Sequence, residues 1–246
     1  MKGGVGKTST CANLAAALVS VLGRNRVSVL DLDPQNGLHW HFGLGVAQEQ
    51  GACAQSLAHA DWRDIAFPST FDVACLPYGL VDEPQREAFE GLLANDPDWV
   101  GRQLKQAGLD EDAVVLIDTP PGPSVYMKQV FACADLILIV LLADAGSYAT
   151  IPSMESWITE AATQYPALRS AYVLNQVDRS DALNRDVADT LIAHLGPRLA
   201  PIGIPADEAV CEALAFQQPV LVYDPHGQAS HDLANLASWV IDTLNQ

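Results

Sequence analysis

Basic side chains are scarce in this sequence: thirteen Lys and Arg stand against thirty Asp and Glu, for a formal net charge of −17. None lies beyond Arg198, so residues 199–246 carry no Lys or Arg. Repulsion at that charge argues against partners that are themselves polyanions, and no nucleic-acid partner is expected. Cysteine is sparse as well. Cys11, Cys53, Cys75, Cys133 and Cys211 are widely separated with no C-x-x-C pair, which offers neither a disulfide framework nor a zinc site and fits a reducing cytoplasm. Long apolar runs are missing too. The longest aliphatic stretch, residues 136–143, is far short of the ~20 residues that span a bilayer, so direct membrane insertion is not expected. The opening residues do not read as a secretory leader.

What the sequence does hold is enough apolar material for a core: 49% of 246 residues, which suits one α/β domain over residues 1–246. Its most informative stretch is the first ten residues, Met1-Lys2-Gly3-Gly4-Val5-Gly6-Lys7-Thr8-Ser9-Thr10. Glycines at 3, 4 and 6 leave a backbone nearly free of Cβ atoms, whose N–H groups can curl around a phosphate. Lys7 brings a point charge to β- and γ-phosphates, Thr8 supplies a hydroxyl for Mg²⁺, and the helix that follows aims its positive end at the same anion. The general pattern G-x-x-x-x-G-K-[ST] is met except at its first position, where Met1 stands. Such a loop normally follows a buried strand. Nothing in the numbering precedes Met1, so that first strand is expected to be missing from the numbered sequence.

Residues 8–22 carry apolar side chains at helical spacing, with Gly23 as the stop. Residues 27–32 then form a short aliphatic run, the pattern of a parallel strand buried on both faces, and it delivers Asp31 and Asp33 to the strand end where α/β sheets bind ligands. The two carboxylates read either as caps of the turn that follows or as handlers of Mg²⁺ and water. Residues 113–117 form another such strand, closed by Asp118-Thr119-Pro120-Pro121-Gly122. That aspartate reads either as a strand-end cap or as part of a Mg²⁺ shell, beside a loop able to sense a γ-phosphate. His39 and His41 form a His-x-His pair without a third ligand nearby, better read as packed or solvated than as metal-binding. Strands are also expected over residues 71–76, 135–142 and from 171, and helices over 82–94, 96–108, 150–163 and 229–244. Alternation of this kind implies a doubly wound α/β fold with a mostly parallel sheet flanked by helices.

Lys2-Gly3-Gly4-Val5-Gly6-Lys7-Thr8, followed by Asp31-Leu32-Asp33-Pro34-Gln35 and by Asp118-Thr119-Pro120-Pro121-Gly122, resembles the deviant Walker A ATPases of the ParA/MinD family, over nearly the whole chain. That resemblance implies a P-loop NTPase fold, ATP and Mg²⁺ as cofactors, and an ATP-dependent homodimer. By the same resemblance, Gly3, Gly4, Val5, Gly6, Lys7, Thr8 and Ser9 grip the nucleotide, and Lys2 reaches it across the dimer interface. Asp33 orients the attacking water, with Lys2 and Lys7 supporting the chemistry, while Thr8, Asp31 and Asp118 surround the metal. Asn175 meets the adenine edge, and Pro205 and Asp207 belong to the segment that closes over the base. Further strings, including Asp61-Trp62-Arg63-Asp64 and Leu76-Pro77-Tyr78-Gly79, resemble the branch of that family encoded with bacterial cellulose synthase. This implies protein partners in the cellulose secretion machinery and a cytoplasmic, polar or partner-recruited location. A DNA-partitioning member should show clustered basic residues, and a membrane-switching member a basic C-terminal helix; this sequence has neither. Another cargo, or a nucleotide-binding scaffold with little hydrolysis, remains open.

Overall fold

Aliphatic runs with no polar alternation cannot sit on a half-solvated sheet, and here they become the strands of a parallel one. The computed structural model describes residues 3–45, 50–64, 66–108 and 112–246. In chain order the elements are α1 (Lys7–Leu22), β1 (Val27–Asp31), α2 (Ala52–Leu57), β2 (Phe67–Pro68), β3 (Val73–Leu76), α3 (Glu83–Asn95), α4 (Trp99–Gln106) and β4 (Val114–Asp118). They continue with α5 (Val125–Cys133), β5 (Leu136–Leu142), α6 (Ala145–Gln164), β6 (Arg169–Asn175), α7 (Ala182–Leu195), α8 (Glu208–Ala215), α9 (Val220–Tyr223) and α10 (Gln228–Leu244).

Among the described residues the strands form two groups, β2-β3-β1-β4 and β5-β6. All pairings are parallel except the short β2–β3 pair. Helices cover both sides, as the doubly wound pattern requires. Leu14, Ala15 and Leu18 of α1 pack with Leu233, Leu236 and Val240 of α10 over β1 and β3. Phe89, Trp99, Val100 and Tyr126 from α3, α4 and α5 cover the opposite side, together with Trp62 and Tyr78. Each fully buried Leu or Phe here stabilises the fold by about 2 kcal/mol relative to an exposed one. A third cluster joins Ile139 and Leu141 of β5 to Ile151 and Met154 of α6 and Leu191 of α7.

Two helix starts, those of α6 and α4, differ from the sequence expectation, and that of α3 agrees with it. Helix α6 begins at Ala145 rather than near residue 150, because the Asp144 carboxylate accepts from the Ser147 backbone N–H at 2.7 Å and starts the helix early. Asp82 opens α3 through a reciprocal capping box with Gln85. The restart after Asp96-Pro97 is α4, delayed to Trp99.

The junction of α3 and α4 hangs on one buried amide. The Gln129 side-chain amide donates to the Leu93 and Asp96 carbonyls at 2.8 and 2.6 Å, and its oxygen accepts from the Val100 N–H at 2.9 Å. Gln129→Leu leaves three backbone groups without partners in a buried site. We expect a loss of roughly 3 kcal/mol, read as a lowered midpoint in urea without a change of slope.

Candidate functional site

The site forms where β1 and β4 end side by side: Asp31 and Asp118 are register partners on adjacent parallel strands. The loop into α1 lies across them. Gly4 and Gly6 adopt φ of 73° and 85°, the left-handed region where a side chain is strained. At Gly6 a Cβ would also come within 2.3 Å of the Asn175 amide nitrogen. The first turn of α1 carries no acidic residue and no side-chain cap, so its positive end is left for an anion. Val5 is buried, and its carbonyl accepts from the Asn175 amide at 2.9 Å, which fastens the loop to the end of β6.

Thr8 and Asp118 meet at the floor. The Thr8 hydroxyl donates to Asp118 Oδ2 at 2.5 Å, and Asp118 Oδ1 accepts from the Thr119 N–H at 3.0 Å. Burial pushes the Asp118 carboxyl up to about 6, against the Thr8 hydrogen bond, which lowers it. Asp31 is fully buried and its two oxygens accept from the Asp33 and Leu38 N–H groups at 2.9 and 3.0 Å. Burial, then the charge of Asp118, pushes it up to about 8. Asp31 therefore fixes the turn that carries Asp33. Asp33 is half-buried and accepts from the Gln35 N–H at 2.9 Å. Asn36, at φ 49°, accepts from the Gly79 N–H and ties the same turn to the segment after β3.

Above this floor is a cavity of about 740 Å³, within the range of small-molecule sites. The glycine loop with Lys7, Thr8 and Ser9 forms one wall, and Asp33, Gln35 and Pro121 face it. The sequence reading missed the rest of the lining: Trp40 and His41 from the turn after β1, and Leu214 and Gln217 at the end of α8. Trp40 and His41 follow Asp33 closely in sequence, which was the available signal. Leu214 and Gln217 gave none. Of the residues expected around the base, Asn175 lies against Gly6. Pro205 bridges to Val177 beside β6, and the Asp207 carboxylate caps α8 and reaches the Ala229 N–H. Lys2 lies outside the described residues. The glycine cradle, uncapped helix end and hydroxyl–carboxylate floor together fit a Mg²⁺-bound nucleoside polyphosphate.

The family model described as cellulose biosynthesis protein BcsQ matches residues 1–241. The chain belongs to the BcsQ family. The BcsQ of Salmonella typhimurium strain LT2 is 29% identical over 245 residues, covering 98% of this chain and 91% of that protein. The cell division ATPase MinD of Pyrococcus furiosus superposes with a TM-score of 0.72 at 25% identity, covering 98% of this chain and 95% of that one. Cobyrinic acid a,c-diamide synthase from Mycobacterium smegmatis, solved with an ATP analog and magnesium, has a TM-score of 0.76 at 23% identity, covering 98% and 91%. Membership and fold thus agree with the ParA/MinD resemblance, and this BcsQ-family chain has a mostly parallel P-loop ATPase sheet. No helix among the described residues is long and apolar enough to cross a membrane.

His39 and His41 are both buried, and His41 lines the cavity of this BcsQ-family site. Burial pushes the His41 imidazole down to about 4 from its usual 6.5, so it is neutral in the fold and charges more readily in the unfolded chain. The stability it contributes is present above pH 6.5 and is lost as pH falls toward 4. The span corresponds to roughly 3 kcal/mol. We expect His41→Phe to flatten the stability profile between those limits, measured by urea unfolding at each pH; an unchanged slope would place the acid sensitivity elsewhere.

Proposed function

We propose that this BcsQ-family chain is a Mg²⁺-dependent ATPase that works as a dimeric switch in bacterial cellulose biosynthesis, assembling or positioning the secretion machinery through protein partners in the cytoplasm or at the membrane. The observation that carries the chemistry is the Thr8 hydroxyl on Asp118 beneath a glycine cradle. That pair is a ready ligand set for a divalent cation, direct or through water, once phosphate oxygens complete the shell. Mg²⁺ would supply charge neutralisation at the β- and γ-oxygens.

The chain's own residues do the rest. Residues 3–8 hold the phosphates by backbone N–H groups, and Lys7 adds a side-chain charge. Asp33, held by the turn that Asp31 anchors, accepts a hydrogen bond from a water poised for in-line attack. Trp40 and Leu214 supply apolar wall to the same cavity. Asn175 secures the loop through Val5, and adenine contacts by Asn175, Pro205 and Asp207 require that segment to turn toward the base. The cellulose role rests on family membership and on relatives such as the Salmonella BcsQ. The test is ATP turnover by the purified protein. Slow, Mg²⁺-dependent phosphate release that Asp33→Ala lowers by about 100-fold, with ATP still bound, supports an ATPase. Saturable binding with no turnover, alone or with the cellulose synthase subunits, supports a nucleotide-binding scaffold instead.

A further inference from the structure

Two hydroxyls lie deep among apolar rings behind the site. Tyr78, in the segment after β3, and Tyr126, in the first turn of α5, are 0% and 2% exposed and pack against one another and against Phe89. Their oxygens are 2.8 Å apart, and the Tyr126 hydroxyl also donates to Glu90 Oε1 on α3 at 3.1 Å. Tyr126 has one proton and gives it to the carboxylate, so Tyr78 donates to Tyr126. Phenylalanine at both positions would fill nearly the same space without burying a polar atom, so packing alone does not account for the pair. Neither tyrosine is among the described residues that line the 740 Å³ cavity.

The pair joins two loops of the site from behind. On one side, the Asn36 N–H donates to the Asp33 carbonyl at 2.8 Å, and the Asn36 side-chain oxygen accepts from the Gly79 N–H, next to Tyr78, at 3.2 Å. On the other side, Tyr126 is the second residue of α5, which Ser124 caps by accepting from the Met127 N–H at 3.2 Å. Residues 119–124 lead into that helix and carry Pro121 in the cavity wall. The link between the two sides is stiff. The Pro77 and Tyr78 carbonyls accept from the Ala52 and Cys53 N–H groups at 2.8 and 3.1 Å, and a Cβ on Gly51 would come within 2.3 Å of the Gly79 nitrogen. A segment so closely packed passes a displacement on instead of absorbing it.

We propose that Tyr78 and Tyr126 are positioning residues: their hydroxyl bond ties the Asp33 turn to the loop after Asp118, and so sets the spacing of Asp33 and Pro121 where both face the glycine loop. The role in turnover rests on the ATPase reading, in which Asp33 holds the attacking water. A shift of about 1 Å at such a group can cost up to ~100-fold in rate. Nucleotide binding by residues 3–8 does not pass through the pair and should be spared.

The experiment takes the 246-residue chain with Tyr78→Phe, with Tyr126→Phe and with both changes, and measures ATP turnover, ATP affinity and hydrogen exchange. Each single variant is expected to lower kcat about tenfold with the ATP Kd within about threefold of the parent. The double variant should be no slower than the slower single one, because all three lack the same bond. Without nucleotide, exchange at residues 33–38 should quicken by at least ~5-fold in each variant, while residues 171–175 of β6, the internal reference for global stability, keep the parent rate. Should the double variant fail to fold, the two single variants decide. Unchanged exchange at residues 33–38 in both of them overturns the tie. An unchanged kcat, or kcat and affinity lost in equal measure, overturns the positioning role. No turnover by the parent protein instead defeats the ATPase reading, and the exchange result alone then decides whether the hydroxyl pair holds the Asp33 turn.

Discussion

Lys7→Ala is expected to weaken ATP binding by about 100-fold or more, ~2.7 kcal/mol, while leaving the unfolding midpoint nearly unchanged. Among the described residues that line the 740 Å³ cavity, Lys7 is the sole Lys or Arg. Asp33 faces it, and the protein as a whole carries a net charge of −17. A triphosphate entering this field has backbone N–H groups and one cationic side chain to meet it, so nothing nearby takes over when that charge is removed. The fold should tolerate the change because no hydrogen bond among the described residues depends on the Lys7 ammonium. Isothermal titration with Mg²⁺-ATP measures the effect; affinity within a factor of three of the parent would remove Lys7 from the phosphate site.

Asp33→Ala is expected to convert the protein to a dimer on adding ATP, and the additional change Lys2→Ala is expected to abolish that dimer. Removing the carboxylate proposed to hold the water should leave ATP uncleaved, so that the ATP-bound state accumulates. Lys2 is needed because a second lysine beside a glycine cradle already served by Lys7 is redundant within one subunit. In the proposed dimer each Lys2 would instead neutralise the partner's nucleotide across a two-fold axis, as a finger residue does in trans. The acidic charge opposes association at long range, so dimerisation should strengthen as salt rises to physiological levels, where the screening length is ~8 Å. Light scattering separates the cases. Equal dimerisation by the single and double mutants would confine Lys2 to its own subunit.

The parts of the site legible in the sequence were those made by consecutive residues. Three glycines before Lys7-Thr8, and aliphatic runs closed by Asp31 and Asp118, impose their geometry locally, and the strands and floor followed from them. The other wall was not legible, because Leu214 and Gln217 reach the cavity through the packing of α8, about two hundred residues from the loop they face. Asn175 shows the same limit: its amide holds the Val5 carbonyl, a contact between residues that no local pattern relates. Helices α5, α7 and α8 were not expected from the sequence, yet Ser124, Asp181 and Asp207 cap them through side-chain oxygens, a signal that was present and went unused. Asp31 was read beside Asp33 as an open choice between cap and metal handler. It is buried and each of its oxygens accepts one backbone N–H of the turn that follows, which makes it a cap and still leaves a lone pair on each oxygen.

A Mg²⁺-nucleotide is expected to occupy the cradle above Thr8 and Asp118. Titrating the purified protein with ATP in Mg²⁺ and again in EDTA, beside Asp118→Asn, tests this in one series. The expected result is one ATP per chain with Mg²⁺, about tenfold weaker binding in EDTA, and little further loss on chelation in Asp118→Asn, because the proposed protein ligand of the cation would already be impaired. Equal affinity with and without Mg²⁺, or an Asp118→Asn protein that keeps the full Mg²⁺ dependence, would contradict it.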